Sequence, residues 1–120
     1  MLTPASADER RVDFTVALLD IDEKPVRECA DDPPIRDGRE CQSYRNLTLG
    51  MVVFRALATP EAGLEPDAAI RRGQLGMGLY KSTEYVLTPE DIVLIKKQVA
   101  KIYGPMILLR VARMIDATVK

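Results

Sequence analysis

Apolar and polar residues alternate with a period of two over residues 12–18, which places Val, Phe, Val and Leu on one side of the chain. This period is typical of a half-buried β-strand. Residues 20–25 (Asp-Ile-Asp-Glu-Lys-Pro) are of types common in turns, and residues 26–29 are long enough to form a returning strand. The pattern predicts an N-terminal β-hairpin, followed by a surface loop over residues 30–46 with a second tight turn at Asp37-Gly38.

After this loop the apolar positions follow a helical period. Thr48 is an expected N-cap, apolar residues between 49 and 57 cover most sides of the helix, and Pro60 ends it. Because it is apolar on most sides, this helix is predicted to be the central one. A second helix is predicted from Pro66, a residue tolerated in the first helical turn, to about Tyr80. Its glycines weaken it and are expected to allow close packing or fraying.

The C-terminal third of the chain contains the clearest helix signals. Residues 84–87 form a candidate short strand, after which Thr88 caps a helix that begins at Pro89. Gly104-Pro105 ends this helix, and a last helix is predicted over residues 106–117. The positions predicted to face the core are Ile92, Ile95, Val99 and Ile102 in the third helix and Ile107, Leu108, Val111, Met114 and Ile115 in the fourth.

These elements predict an α+β fold, in which an N-terminal β-hairpin, extended by residues 84–87, packs on a bundle of about four helices. The 120 residues have the length of a single domain. Within it, residues 1–10 are predicted to be a flexible tail, residues 11–46 the hairpin and loop, and residues 47–120 the mainly helical part.

The chain contains no histidine, which restricts the chemistry that can be expected. Histidine is the usual general base near neutral pH and the commonest metal ligand, so His-dependent catalytic triads and zinc sites with imidazole ligands are excluded. We therefore expect a protein that is not an enzyme and uses no cofactor or metal. Cys29 and Cys41 are too few for a cysteine-only zinc site, and reduced thiols are expected, with a disulfide between them as the alternative.

Charged residues are distributed unevenly along the chain. Residues 1–45 hold 11 acidic and 7 basic side chains, a net charge of −4, and residues 88–120 hold 3 and 6, a net charge of +3. The two regions are expected to attract each other, within one chain or between chains. The basic residues form a candidate interaction surface, with a solvated helix face as the simpler interpretation. This surface consists of Lys96, Lys97, Lys101, Arg110 and Arg113.

Two further patterns have simpler explanations than a binding site. An acidic cluster suggests a divalent-cation site, but its spacing does not fit an EF-hand loop, and turn-forming and solvating roles of these residues are the simpler explanation. The cluster consists of Asp20, Asp22, Glu23, Asp31, Asp32 and Asp37. Residues 73–78 (Gly-Gln-Leu-Gly-Met-Gly) are similar to a phosphate-binding loop but fall within a predicted helix instead of following a strand.

Two segments have a recognisable sequence: residues 47–57, where Leu-Thr-Leu-Gly begins an apolar helix, and residues 87–96, Leu-Thr-Pro-Glu-Asp-Ile-Val-Leu-Ile-Lys. Together they resemble a small family of uncharacterised proteins from tailed bacteriophages and prophages. The similarity covers about residues 47–116. The family has no assigned activity, so the resemblance implies a phage-derived origin and transfers no catalytic or binding residue.

The sequence therefore leads us to expect a non-enzymatic accessory or assembly protein that acts by protein–protein contact, with a partner or by self-association. The alternative is a small nucleic-acid-binding regulator that uses the basic C-terminal helices. No apolar run approaches the length of a membrane span, so no membrane partner is expected. The expected location is the cytoplasm of a bacterial host, with association with a virion as the alternative.

Overall fold

The computed structural model describes residues 10–20, 22–30 and 41–117. Within these residues the chain forms four strands of three residues and four helices, which confirms the predicted α+β class. The strands are β1 (Arg10–Val12), β2 (Arg27–Cys29), β3 (Tyr44–Asn46) and β4 (Tyr85–Leu87). The helices are α1 (Leu49–Ala58), α2 (Pro66–Leu79), α3 (Pro89–Tyr103) and α4 (Pro105–Ala117).

The strands pair in two small antiparallel sheets, and neither sheet pairs residues 12–18 with residues 26–29 as the predicted hairpin would. β1 pairs with β4, so that Arg10 lies opposite Leu87, and β2 pairs with β3, so that Cys29 lies opposite Tyr44. β3 lies in the segment predicted as a loop, so that prediction is wrong over residues 44–46. The predicted short strand at residues 84–87 is present as β4. Residues 1–9 of the predicted tail and the turn at Asp37-Gly38 lie outside the described residues.

The predicted turn at residues 20–25 is present, but the strand before it is irregular. The backbone N–H of Val26 donates to the Leu18 carbonyl at 2.8 Å, and Leu19 and Pro25 form an isolated antiparallel bridge. The predicted strand over residues 12–18 is wrong beyond Val12. Beyond Val12, backbone carbonyls of this segment accept hydrogen bonds from the start of α1 instead of from a neighbouring strand. The N–H of Gly50, for example, donates to the Phe14 carbonyl at 2.8 Å.

Helix α1 is the centre of the core, as predicted. Six of its ten residues are buried, and it packs against both α2 and α3. The Thr48 hydroxyl accepts the backbone N–H of Met51 at 3.1 Å, which caps the helix. The second residue, Gly50, lies where the chain crosses itself: a Cβ atom there would be 2.1 Å from the Tyr80 carbonyl oxygen and 2.8 Å from that of Phe14.

Two of the three glycines in α2 allow the close packing that the sequence suggested. A Cβ atom at Gly76 would lie 3.2 Å from the Phe54 ring, and one at Gly78 would lie 3.2 Å from the Tyr85 ring. At Gly73, by contrast, the Cβ position has no described atom within 4 Å apart from the adjoining residues and the backbone of α2 itself.

The α3–α4 pair begins and turns as the sequence predicted. Thr88 and Asp91 form a reciprocal capping box at the start of α3, and Gly104, with a φ of 85°, ends it. One predicted core position is wrong, because Ile102 is 39% exposed; Tyr103 packs against the core in the same turn. None of the helices in the described part of the chain combines the length and apolar character needed to span a bilayer.

Candidate protein-interaction site

A cleft of about 190 Å³ opens between the turn at residues 20–25 and the first turns of α4. Its apolar surface comes from Leu19 and Val26 on the turn side and from Met106 and Ile107 on the helix side. Charged side chains complete the lining, with Asp20 and Asp22 on the turn and Arg110 on the helix. We call this feature the turn–α4 cleft.

The turn that forms one wall of the cleft is organised by the carboxylate of Asp20. One oxygen of this carboxylate accepts the backbone N–H of Asp22 at 2.8 Å and that of Lys24 at 3.0 Å. The backbone N–H of Asp20 in turn donates to the Lys24 carbonyl at 2.8 Å. Glu23 adopts a positive φ of 61°, which lets the chain reverse within this short span. The carboxylate of Asp20 therefore holds the turn, and the exposed carboxylate of Asp22 is left to interact with a ligand.

The opposite wall is the N-terminal part of α4. Gly104 ends α3 and Pro105 begins α4 at once, and the first two residues of α4, Pro105 and Met106, are exposed. The side chain of Met106 is 56% exposed and that of Leu109, one turn further on, is 45% exposed. The cleft is therefore bordered on this side by Met106, an apolar side chain that is largely exposed, and Leu109 lies next to the cleft without lining it.

The charges on the two walls are opposite in sign. Arg110 faces Asp20 and Asp22 across the cleft, but none of these three forms an ion pair with another described residue. An occupant could therefore contact carboxylates on one side and a guanidinium on the other while it buries apolar surface between them.

The five residues of the predicted basic surface do not form one uniform patch. The Lys96 ammonium pairs with Asp116 at 3.5 Å, and the Lys101 ammonium pairs with Glu61. Lys97 and Arg113 are exposed and form no ion pair within the described residues. The fifth residue, Arg110, lines the turn–α4 cleft. The sequence thus points to three residues of the cleft but divides them between two other sites: Arg110 belongs to the predicted basic surface, and Asp20 and Asp22 belong to the acidic cluster.

The expectation of reduced thiols is wrong, because a disulfide joins Cys29 and Cys41 across a Cα–Cα distance of 5.8 Å. Cys29 is the last residue of β2, and Cys41 comes shortly before β3 at Tyr44. The disulfide therefore lies at the end of the β2–β3 ladder from which the connecting loop leaves, opposite the end formed by Arg27 and Asn46. The spacing of the two cysteines allows this pairing, but nothing local in the sequence requires it.

An ionic cluster attaches the same hairpin to the central helix. The carboxylate of Glu28 in β2 accepts two hydrogen bonds from the Arg55 guanidinium of α1, at 2.7 and 2.8 Å, and a third from Arg45 of β3 at 2.7 Å. These bonds, the two from Arg55 above all, lower the pKa of Glu28 to about 2. The bond to Glu28 also raises the pKa of Arg55. Because Val26 in the cleft is two residues from Glu28, this cluster fixes the wall of the cleft on α1.

A second carboxylate joins the loop after α1 to two other helices. Glu61 accepts hydrogen bonds from Lys101 of α3 and from Arg72 of α2, the latter at 2.7 Å. The bond from Lys101, followed by that from Arg72, lowers the pKa of Glu61 to about 2. This cluster lies away from the turn–α4 cleft and connects the loop after α1 to α2 and α3, so we assign it a structural role.

One buried polar residue escapes sequence reasoning. Gln98 of α3 is only 1% exposed, and its side-chain oxygen has no hydrogen-bond partner among the described residues. The helical period alone places it beside Val99 and Ile95. A polar residue flanking an apolar stripe usually lies at its solvated edge, which is why the sequence does not identify it.

The acidic cluster forms no metal site among the described residues, although Asp20 and Asp22 line the turn–α4 cleft. Among the described carboxylates and cysteines, no group of three or more is placed to hold a metal ion. Three members of the acidic cluster, Asp31, Asp32 and Asp37, lie outside the described residues. The glycine-rich residues 73–78 are part of α2, as their predicted position in a helix implied.

Comparison of the chain with protein-family models, with curated proteins and with solved structures gave no significant match.

Proposed function

We propose that this protein is a non-enzymatic accessory protein that acts by protein–protein contact, and that the turn–α4 cleft is its contact surface. The observation that supports this proposal is the combination of an apolar lining with charges of both signs at the rim, which form no ion pair within the described residues. Interfaces between proteins typically join an apolar centre to a polar border in this way.

The lining of the cleft defines the chemistry of its partner. A volume of about 190 Å³ accommodates one large aliphatic side chain, which would contact Leu19, Val26, Met106 and Ile107. Two carboxylates stand against one guanidinium, so the local charge favours a basic neighbour to that side chain. The proposed occupant is a short segment of another protein in which an aliphatic residue lies next to Lys or Arg.

The setting that we propose is the assembly of a bacteriophage particle, on the basis of the resemblance of residues 47–116 to a phage protein family. The disulfide supports a place on the virion in preference to the cytoplasm. Disulfides persist in oxidising surroundings, including virion surfaces, and are rare in the cytosol.

The test is a selection of random peptides displayed on a carrier, with the full-length protein as the target. We expect enriched peptides that contain an aliphatic residue flanked by Lys or Arg. Binding of one synthetic peptide is then measured by calorimetry. The variant Met106→Glu should weaken binding by about tenfold or more, because it places a carboxylate in the apolar lining, and Asp22→Asn should weaken it less.

The matched control is Val93→Glu, which places the same charge at a side chain that is 67% exposed on α3 and does not line the cleft. It should bind like the wild-type protein. Failure to enrich any such peptide, or equal affinity in Met106→Glu, would contradict the assignment of the cleft.

The second candidate function is nucleic-acid binding by the C-terminal helices, and one observation favours it: Lys97 and Arg113 are exposed and free of ion pairs within the described residues. The pairing of Lys96 and Lys101 with acidic residues weighs against it. A salt-sensitive mobility shift with duplex DNA that Lys97→Glu with Arg113→Glu abolishes would favour this function. The absence of a shift at low salt would eliminate it.

A further inference from the structure

The outer face of α2 carries two of the most exposed apolar side chains in the described part of the molecule. Ile70 is 58% exposed and Met77 is 76% exposed. They are seven residues apart, which is two helical turns, so they lie on the same side of the helix. The opposite side of α2 is buried through Leu75, Gly76 and Leu79. One side of the helix therefore belongs to the core, and the other presents apolar surface to the solvent.

The exposed residues continue in both directions with a heptad spacing. Steps of three and four residues connect five exposed positions, and the Tyr80 cap has helical backbone angles, so the line continues past the end of α2. The five positions are Asp67, Ile70, Gln74, Met77 and Lys81. We call this line of residues the α2 stripe. It has a carboxylate at one end, an ammonium at the other, an amide in the middle and an apolar side chain on each side of the amide.

This arrangement is complementary to itself. If two copies of the stripe cross in antiparallel orientation with their two-fold axis at Gln74, Asp67 of one copy faces Lys81 of the other, because each is seven residues from the axis. Ile70 is four residues from the axis and Met77 is three, so these two side chains lie beside each other with an offset of about 1.5 Å along the helix. Neither Asp67 nor Lys81 forms an ion pair with another described residue; the Lys81 ammonium lies 5.6 Å from the centre of the Tyr80 ring. Both charges are therefore available to a second copy.

We propose that the protein forms a two-fold symmetric homodimer through its α2 stripes, in antiparallel orientation about Gln74. A two-fold interface requires the same patch on both copies to satisfy its own charges and apolar groups, and the α2 stripe meets that requirement. A parallel arrangement would place Asp67 beside Asp67 and Lys81 beside Lys81. This dimer is independent of the turn–α4 cleft, which lies on other elements and stays open to a different partner.

The first measurement is the mass of the full-length protein in solution by sedimentation velocity over a range of concentrations. The wild-type protein should be a dimer. Met77→Glu should weaken dimerisation by about tenfold or more, because two carboxylates would then lie in the apolar part of the interface. Val93→Glu is the matched control and should remain dimeric. A wild-type protein that is monomeric throughout, or a dimer that persists unchanged in Met77→Glu, would overturn the proposal.

The charge pair provides a test that does not depend on the apolar residues. Asp67→Lys should weaken the dimer, since an ammonium group at that position would face the ammonium group of Lys81 in the other copy. The double variant Asp67→Lys with Lys81→Asp should restore the dimer. Failure of the double variant to restore it while its helical content is unchanged would contradict the antiparallel orientation.

A cysteine at the axis gives the geometry directly. In Gln74→Cys the two introduced thiols would face each other, and mild oxidation should join the two chains, whereas Glu90→Cys on the exposed start of α3 should not be joined. Failure of the dimer proposal can be distinguished from failure of the proposed function of the turn–α4 cleft. Met106→Glu tests peptide binding and should leave this dimer intact, and a dimer lost only in Met106→Glu would place self-association at the cleft and overturn the present proposal.

Discussion

The central helix α1 and the β2–β3 hairpin are in contact, but different interactions stabilise them. Six of the ten residues of α1 are buried, among them Val52, Val53 and Ala56. The six residues of β2 and β3 include none that is buried. In place of apolar contacts, the hairpin has the disulfide between Cys29 and Cys41 and the bonds of Glu28 to two arginines.

The difference shows how a small domain can hold a surface hairpin that buries none of its strand residues. A fully buried aliphatic side chain stabilises the folded state by about 1.5–3 kcal/mol, and α1 contains several. A three-residue antiparallel pair without a buried face is not stable by itself. The covalent bond and the ionic cluster hold it in place, and through Val26 they hold one wall of the turn–α4 cleft.

The largest expected loss of stability comes from a substitution in α1. Gly50→Ala should destabilise the protein by more than about 3 kcal/mol, because the added methyl group would overlap with two backbone carbonyls that belong to other segments. The gain of about 1 kcal/mol that alanine usually gives in a helix is too small to offset this. Urea unfolding followed by circular dichroism measures the change.

The matched control is Gly73→Ala, at a glycine where the added methyl group meets no described atom beyond the adjoining residues and the backbone of α2. This variant should gain up to about 1 kcal/mol, the ordinary helix preference for alanine. Equal effects of the two substitutions would show that the crossing at Gly50 is not as close as the structure has it.

The sequence predicts the parts of the molecule that depend on neighbouring residues. Thr48 and Thr88 are recognisable as caps because capping requires only a side chain and an amide two or three residues away. The sequence leads us to expect that residues 84–87 join the N-terminal strands, but the pairing of β4 with Arg10–Val12 and its register have no local signal, since the partners are distant in the chain. The tight constraint at Gly50 likewise exists only once three segments have met.

The candidate site follows the same division. The turn at Asp20 is predictable, because an Asp that accepts the following amides is a local feature. The cleft is not, because it exists only where that turn meets Arg110 and Met106 on the last helix. The exposed face of α2 also escapes the sequence, which places Ile70 in a helix without defining the buried side of that helix.

A smaller loss of stability is expected when the disulfide of the β2–β3 hairpin is removed. The double variant Cys29→Ser with Cys41→Ser should lose about 2–3 kcal/mol, the usual effect of a disulfide that closes a loop of this length. The loss should be concentrated in the hairpin. Hydrogen exchange should show faster opening of the β2 and β3 amides, and those of α1 should keep most of their protection.

Wild-type protein treated with a reducing agent is the natural counterpart of that variant and should behave in the same way. If removal of the disulfide instead melted α1 together with the hairpin, the two regions would form one cooperative unit and the contrast between them would be wrong.

The smallest of the three effects is the pH dependence of the Glu28 cluster. The bonds from Arg55 and Arg45 lower the pKa of Glu28 from its ordinary value of 4.5 to about 2 in the folded protein. Its contribution to the free energy of unfolding is therefore complete above pH 4.5 and is lost as the pH falls towards 2. Since the side chain is 24% exposed, we expect this contribution to be about 1–2 kcal/mol.

Glu28→Gln should lower stability at pH 7 and reduce the dependence on pH between 4.5 and 2, because the variant has no carboxylate to protonate there. Some dependence should persist, since Glu61 has a similarly low pKa in the helical part. Hydrogen exchange separates the two clusters. In the wild-type protein, the β2 and β3 amides should be the first to lose protection as the pH falls. In Glu28→Gln, the same amides should have reduced protection already at neutral pH. Equal acid sensitivity of the hairpin amides in both proteins would mean that Glu28 does not attach the hairpin to α1, and the cleft wall would then depend on the disulfide alone.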